Sequence, residues 1–242
     1  MADMQPLEPV LSARRSIVLI LVGEWVEDPE SECSIHRRNG RGFAEQGYAL
    51  GFVLHDRKCI VTCAHVIEGR EPDDVLIIER ANPNAPSILK STFRGADFDV
   101  ALLYLVDPVE APPIVVSDKR KVWVGEDVFF WSPLVQSSSS TRTRGLTLCL
   151  RKSIVSAVWD NRALDPGTSE PRHVLIDAVV PEGSSGSPLV RRDGRLVGMV
   201  FAEQMRPSNV LIPSGMGWAL PGSIVADSTS KIAEQCRLED SQ

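Results

Sequence analysis

Three short stretches of this chain hold residue types that can carry out nucleophilic catalysis together. Pro181-Glu182-Gly183-Ser184-Ser185-Gly186-Ser187-Pro188-Leu189 sets serines among glycines. Val61-Thr62-Cys63-Ala64-His65-Val66 offers a histidine where an apolar run meets a turn, and Asp97-Phe98-Asp99-Val100-Ala101-Leu102-Leu103 offers carboxylates at the head of another. A serine hydroxyl stays protonated at neutral pH and attacks a carbonyl only when a base takes its proton; imidazole suits that task. The imidazole needs a carboxylate to fix its tautomer and stabilise its cation, and the attacked carbonyl oxygen needs donors as it gains charge. Within the frame Gly183-Ser184-Ser185-Gly186, only Ser185 lets its own N–H and that of Gly183 point into one oxyanion hole. Ser185 is therefore the expected nucleophile, ahead of Ser184 and Ser187, and His65 the expected base. Asp97 and Asp99, two apart, share a strand face. The apolar run begins directly after Asp99, which places that carboxylate at the core edge and leaves Asp97 as a surface charge.

The other candidates for chemistry read as bland. His36, His55 and His173 lack such a setting and are expected to be structural or exposed. Cys59 and Cys63 repeat at strand spacing, but a Cys/His metal site needs further ligands in range, so both read as buried free thiols and no metal is expected. Thiols this close to His65 would make an enzyme sensitive to oxidants.

These residues need a scaffold of strands. The chain has 242 residues, 43% of them hydrophobic, enough to bury one large domain or two small lobes. Short Val/Ile/Leu runs at 16–23, 48–55, 58–63, 74–79, 99–106, 122–130, 146–158, 173–180, 187–191, 195–202 and 216–220 read as strands. Turn formers such as Asp56-Arg57, Asp193-Gly194 and Pro213-Ser214-Gly215 separate them. Residues 223–236 suit a short closing helix, 1–12 a flexible leader and 237–242 a tail. Three stretches, 27–46, 136–145 and 160–172, read as long surface loops, where binding and regulation commonly reside. A net charge of −6 and a pI near 5.3 argue against a nucleic-acid surface, and no apolar run is long enough to span a bilayer. Ile17–Val22 follows Arg14-Arg15, yet no small-residue cleavage site comes after it, so it reads as a first strand rather than a signal peptide. With an odd count of five cysteines, that points to a cytoplasmic protein.

Several stretches resemble, in order, the motifs of trypsin-fold serine proteases, above all the HtrA-like (Deg) branch. They are Gly51-Phe52-Val53-Leu54 with Ile60–Val66, Asp99–Leu103, Ile154-Val155-Ser156-Ala157, Asp177–Leu189 and Gly215-Met216-Gly217-Trp218-Ala219-Leu220-Pro221. The order His65, Asp99, Ser185 is that of chymotrypsin-type enzymes, not of subtilisins or α/β-hydrolases. The similarity spans about residues 14–226. It implies an all-β fold of two six-stranded antiparallel β-barrels with the active site between them. The barrels would cover about 13–110 and 111–226, inside a peptidase domain over 13–236.

The implied activity is a serine endopeptidase working through an acyl-enzyme, with His65, Asp99 and Ser185 catalytic, Gly183 and Ser185 as oxyanion donors, and no cofactor. Its expected partner is a protein or peptide substrate, with a regulatory partner or homo-oligomer beside it; nucleic acid and membrane are not expected. By the same resemblance Val179 forms the floor of the primary pocket, with Val200, Phe201, Ala202, Glu203 and Met216 as walls. No carboxylate at Val179 means no trypsin-like ion pair, so small or medium aliphatic side chains are the expected preference. Ser184 and Ser187 stand where many members have Asn and Gly. No PDZ-like segment follows residue 226 and no IVGG-type activation sequence is visible. Control by loop ordering at 136–145 and 160–172 is expected. The rival reading is a latent trypsin-fold effector or binding module, active only within a complex.

Overall fold

The computed structural model describes residues 7–27, 36–83, 85–118, 121–135, 146–160, 171–206 and 212–239. Its first sheet contains β1 (Ile17–Val26), β2 (Arg37–Arg38), β3 (Arg41–Val53), β4 (Cys59–Thr62), β5 (Val75–Glu79), β6 (Leu89–Arg94) and β7 (Ala101–Leu105). Six of them run in the order β5-β1-β3-β4-β7-β6, with β2 pairing onto β3, and curl into a half-barrel. The second sheet is a closed barrel of β8 (Asp127–Val135), β9 (Leu146–Asp160), β10 (Pro171–Ile176), β11 (Pro188–Val190), β12 (Leu196–Arg206) and β13 (Ile212–Pro221). Helix α1 (Glu8–Ala13) precedes the first sheet and α2 (Gly222–Glu239) follows the second.

The unbroken apolar runs are explained by which core each face enters. Successive strand residues face opposite ways, and here both faces are covered. Val18 and Ile20 of β1, Ile60 of β4 and Leu103 of β7 fill the interior of the half-barrel. Their neighbours Ile17, Leu19, Cys59, Val61 and Leu102 face a second cluster shared with Phe129, Trp131, Met199 and Leu220 of the other barrel. Val128, Phe130, Leu189 and Val197 fill the third cluster, inside the closed barrel. The shared middle cluster holds the two barrels against each other. Helix α2 lies on β12 and β13 and sends Val225 and Ile232 into that cluster.

Three expectations need correction. Residues 8–13 are not a loose leader: they form α1, whose Val10 is fully buried and joins the shared cluster. The charged stretch 27–46 is not one loop. Within it β2 and the start of β3 form a hairpin whose turn, Asn39-Gly40, has φ of 53° and 78°. Positive φ at both central residues is a type I′ turn, the form that Asn-Gly favours and that matches strand twist. Strand β6 was missed because Leu-Lys-Ser-Thr-Phe-Arg is polar; it is an end strand with only Leu89 fully buried. The expected loop 136–145 and most of 160–172 lie outside the described residues.

Candidate active site

Strand pairing brings His65 and Asp99 together. Antiparallel β4 and β7 pair Val61 with Leu102 and Thr62 with Ala101, so the chain leaving β4 runs alongside the chain entering β7. His65 sits in the 3-10 turn Ala64–Ile67 that follows, and Asp99 directly precedes β7. Asp99 accepts twice: its Oδ1 takes the His65 backbone N–H at 2.9 Å and its Oδ2 faces the ring Nδ1 at 2.6 Å. The far nitrogen, Nε2, lies 3.2 Å from Ser185 Oγ. Asp99, His65 and Ser185 thus form one hydrogen-bonded line, whereas Asp97 is exposed and lines a separate cavity beside α2.

Two glycines shape the serine loop. Ser184 N–H donates to Pro181 C=O at 3.1 Å and Ser187 N–H to Ser184 C=O at 2.9 Å, closing two consecutive turns. The third residue of each is a glycine with positive φ, Gly183 at 79° and Gly186 at 82°, while the second residues, Glu182 and Ser185, are not among those with positive φ. That makes both type II turns, which need glycine at this place. The turns leave the N–H groups of Gly183 and Ser185 without an acceptor among the described residues. The loop is seated on the other barrel: Leu50 N–H donates to Ser185 C=O at 2.9 Å, and Thr62 Oγ1 donates to Leu50 C=O at 2.8 Å. A Cβ on Gly186 would meet the Leu50 oxygen at 1.9 Å, and one on Gly183 would meet the Tyr48 ring at 2.2 Å.

The neighbouring serines do other work. Ser187 Oγ accepts the Trp131 backbone N–H at 2.9 Å, and the Ser184 side chain is fully buried. The Ser185 hydroxyl also lies 3.3 Å from Phe201 C=O, a second acceptor for its proton.

The electrostatics suit a base in waiting. The hydrogen bond that the His65 ring makes to Asp99 raises the His65 pKa above its ordinary value, against the opposing pull of burial. At Asp99, burial works to raise the pKa, but the His65 ring and the His65 and Ala64 N–H groups outweigh it and hold the carboxyl below its usual range. Burial, reinforced by Asp99, pushes the Cys63 thiol well up.

Residues 49–199 match the trypsin-like peptidase domain family model. That is more than half of the chain. The chain belongs to the trypsin-like peptidase family. Among curated proteins it is similar to a DegP-like periplasmic serine endoprotease of Halomonas elongata, 29% identical over 205 residues, covering 83% of this chain and 38% of that protein. Protease Do-like 1, chloroplastic, of Arabidopsis thaliana is 30% identical and covers 78% of this chain and 39% of its own length. The periplasmic serine endoprotease DegP of Escherichia coli is 25% identical, covering 81% and 38%. The chain therefore spans about two fifths of the length of these relatives. Among solved structures, the HtrA-type protease AlgW with decapeptide has a TM-score of 0.69 at 18% identity, covering 95% of this chain and 68% of that one. Rv3671c protease in its inactive form has a TM-score of 0.61 at 20% identity, covering 93% and 92%.

The likeness to these relatives corrects the expected compartment. The Halomonas elongata and Escherichia coli relatives are periplasmic by name, which points to an extracytoplasmic rather than a cytoplasmic place. The cysteine count was a poor guide because Cys59 and Cys63 are buried in the core, where a thiol can persist in an oxidising compartment. In the expected pocket of the peptidase, Val179 and Met216 are 50% and 36% exposed, and Ala202 and Glu203 are half-buried. Val200 is different: its side chain is fully buried in the closed barrel's core and forms no wall open to a substrate. Phe201 packs its ring against His173 and presents its carbonyl to Ser185. The seating residues Tyr48, Leu50 and Thr62 escaped the sequence reading, because their roles depend on contacts between barrels.

Proposed function

We propose that this peptidase domain, over about residues 13–236, is a serine endopeptidase of the HtrA/DegP type. In this reading Ser185 Oγ attacks the scissile carbonyl while His65 Nε2 takes its proton. His65 then returns the proton to the leaving amine, and water attacks the acyl-enzyme in the same way, freeing the acid product and returning the proton to Ser185 Oγ. Asp99 holds the imidazole with its proton on Nδ1, and the N–H groups of Gly183 and Ser185 receive the oxyanion. The observation that carries the reading is the line of contacts Asp99 Oδ2–His65 Nδ1 at 2.6 Å and His65 Nε2–Ser185 Oγ at 3.2 Å. The substrate is a polypeptide with a small or medium aliphatic side chain entering the primary pocket, because uncharged Val179 lies partly open at its expected floor.

A peptide-library digest read by mass spectrometry tests both parts. Cleavage after Ala, Val or similar residues, absent in Ser185→Ala, is the expected result. Cleavage confined to sites after Lys or Arg would overturn the preference. Equal cleavage by Ser185→Ala would overturn the mechanism.

A further inference from the structure

Cys63 takes no part in the proton relay, yet it lies against it. It is the residue between β4 and the turn that carries His65, and its side chain is completely buried. Its thiol contact to Val200 C=O is weak, at 3.5 Å. One ligand atom each from Cys63, His65 and Asp99 all lie within 4.8 Å of one another. Thiolate, imidazole and carboxylate are a zinc donor set, with bonds of about 2.3, 2.0 and 2.1 Å. Donors placed tetrahedrally at those lengths stand roughly 3.3 to 3.7 Å apart. The Nδ1–Oδ2 pair at 2.6 Å has to open a little and the sulfur to close in. Both side chains are partly open to solvent, His65 at 45% and Asp99 at 27%. Charge points the same way. Thiol, neutral imidazole and carboxylate together carry one negative charge in a half-buried place, and a divalent cation that displaces the thiol proton brings it to zero.

We propose that Cys63, His65 and Asp99 form an inhibitory site for a borderline-soft divalent cation, zinc foremost, entering between His65 Nδ1 and Asp99. The proposal rests on His65 serving as the base for Ser185. On binding, the Cys63 thiol proton leaves to solvent as the metal–sulfur bond forms. The imidazole proton moves from Nδ1 to Nε2 as the metal–nitrogen bond forms, and Asp99 exchanges its hydrogen bond for the metal. Water completes the tetrahedron, and no electron changes hands. A neutral imidazole has one donor and one acceptor nitrogen. With its proton on Nε2, His65 donates toward Ser185 Oγ instead of accepting from it, and the base is gone. The ion thus stops the reaction by switching a tautomer while the substrate cleft stays open. Magnesium and calcium, which prefer oxygen ligands, have no such effect.

Cobalt(II) is the probe, because a cobalt–thiolate bond gives a near-ultraviolet charge-transfer band whether or not the enzyme turns over. Chelator-treated wild type and Ser185→Ala should both show a band that saturates at one cobalt per chain and is displaced by zinc. The band should vanish in Cys63→Ala. In Asp99→Asn the affinity should fall by more than the roughly 10- to 100-fold that partners outside the ligand set of a metal site command. Zinc should also arrest wild-type cleavage, reversibly with EDTA. No saturable band, or a band of undiminished affinity in either variant, overturns the proposal. If circular dichroism shows Cys63→Ala to be unfolded, the Asp99→Asn affinity decides. The cobalt band behaving as expected in a protein that, before cobalt is added, cleaves nothing would contradict the proposed function and leave the metal site standing.

Discussion

Asp99 spends both carboxylate oxygens on one residue, one on the backbone of His65 and one on its ring, at 2.9 and 2.6 Å. Position and tautomer are therefore controlled together. Asp99→Asn should keep the fold but present the wrong tautomer, lowering kcat by about 10⁴, as steady-state kinetics on a chromogenic peptide will show. Because Asp99 raises the His65 pKa, and only neutral imidazole can accept the serine proton, the acid limb of kcat/KM should lie above the ordinary imidazole value of 6.5. Activity is then lost as the pH falls through that limb. A pH profile with its limb below 6.5 in metal-free buffer would contradict this account of the His65 environment. Ser185, His65 and Asp99 were legible in the sequence because local frames single them out: glycines around the serine, a strand end at the histidine, an apolar run after the aspartate. Cys63 was read as a buried thiol without enough ligands in range, because Asp99 lies 36 positions away along the chain.

At the scale of elements, the serine loop is held as much by β3 and β4 as by its own turns. Gly186 combines a φ of 82° with a position where a Cβ would meet the Leu50 oxygen at 1.9 Å. Gly186→Ala must move the loop or the strand, and should cost about 2 to 4 kcal/mol, measured by chemical denaturation. Tyr48 supports the neighbouring turn through its ring contact with Gly183. Tyr48→Ala should let that turn shift, lowering kcat about 10- to 100-fold with little change in KM, while Tyr48→Phe keeps the ring and the rate. Most strands were visible as apolar runs. The sheet edge at β6, the hairpin at Asn39-Gly40 and helix α1 were not. The first is polar because one face meets water, the second is a two-residue turn inside a charged stretch, and the third is stabilised by docking rather than by its own six residues. Helix α1 leans on the Asp193-Gly194 turn of the distant barrel, where a Cβ on Gly194 would meet Pro9.

Across the whole molecule the site is divided between the barrels, with His65 and Asp99 on the half-barrel and Ser185 on the loop entering the closed one. Their spacing depends on the shared cluster around Phe52, Val61, Trp131 and Met199. The two barrels should therefore unfold together. Trp131, fully buried there, should cost about 3 to 5 kcal/mol when replaced by alanine, and activity and tryptophan fluorescence should be lost at the same denaturant concentration. The all-β plan was readable from period and turn chemistry, whereas the half-open state of the first barrel depends on strand pairing that no local pattern encodes. The central claim is that Ser185 is a nucleophile activated by His65 in the folded domain. Reaction with a fluorophosphonate, read by intact mass and peptide mapping, tests it most directly. One adduct per chain, mapped to Ser185 and absent in both Ser185→Ala and His65→Ala, is the predicted result; no adduct on folded wild type, or one that persists in Ser185→Ala, would contradict it.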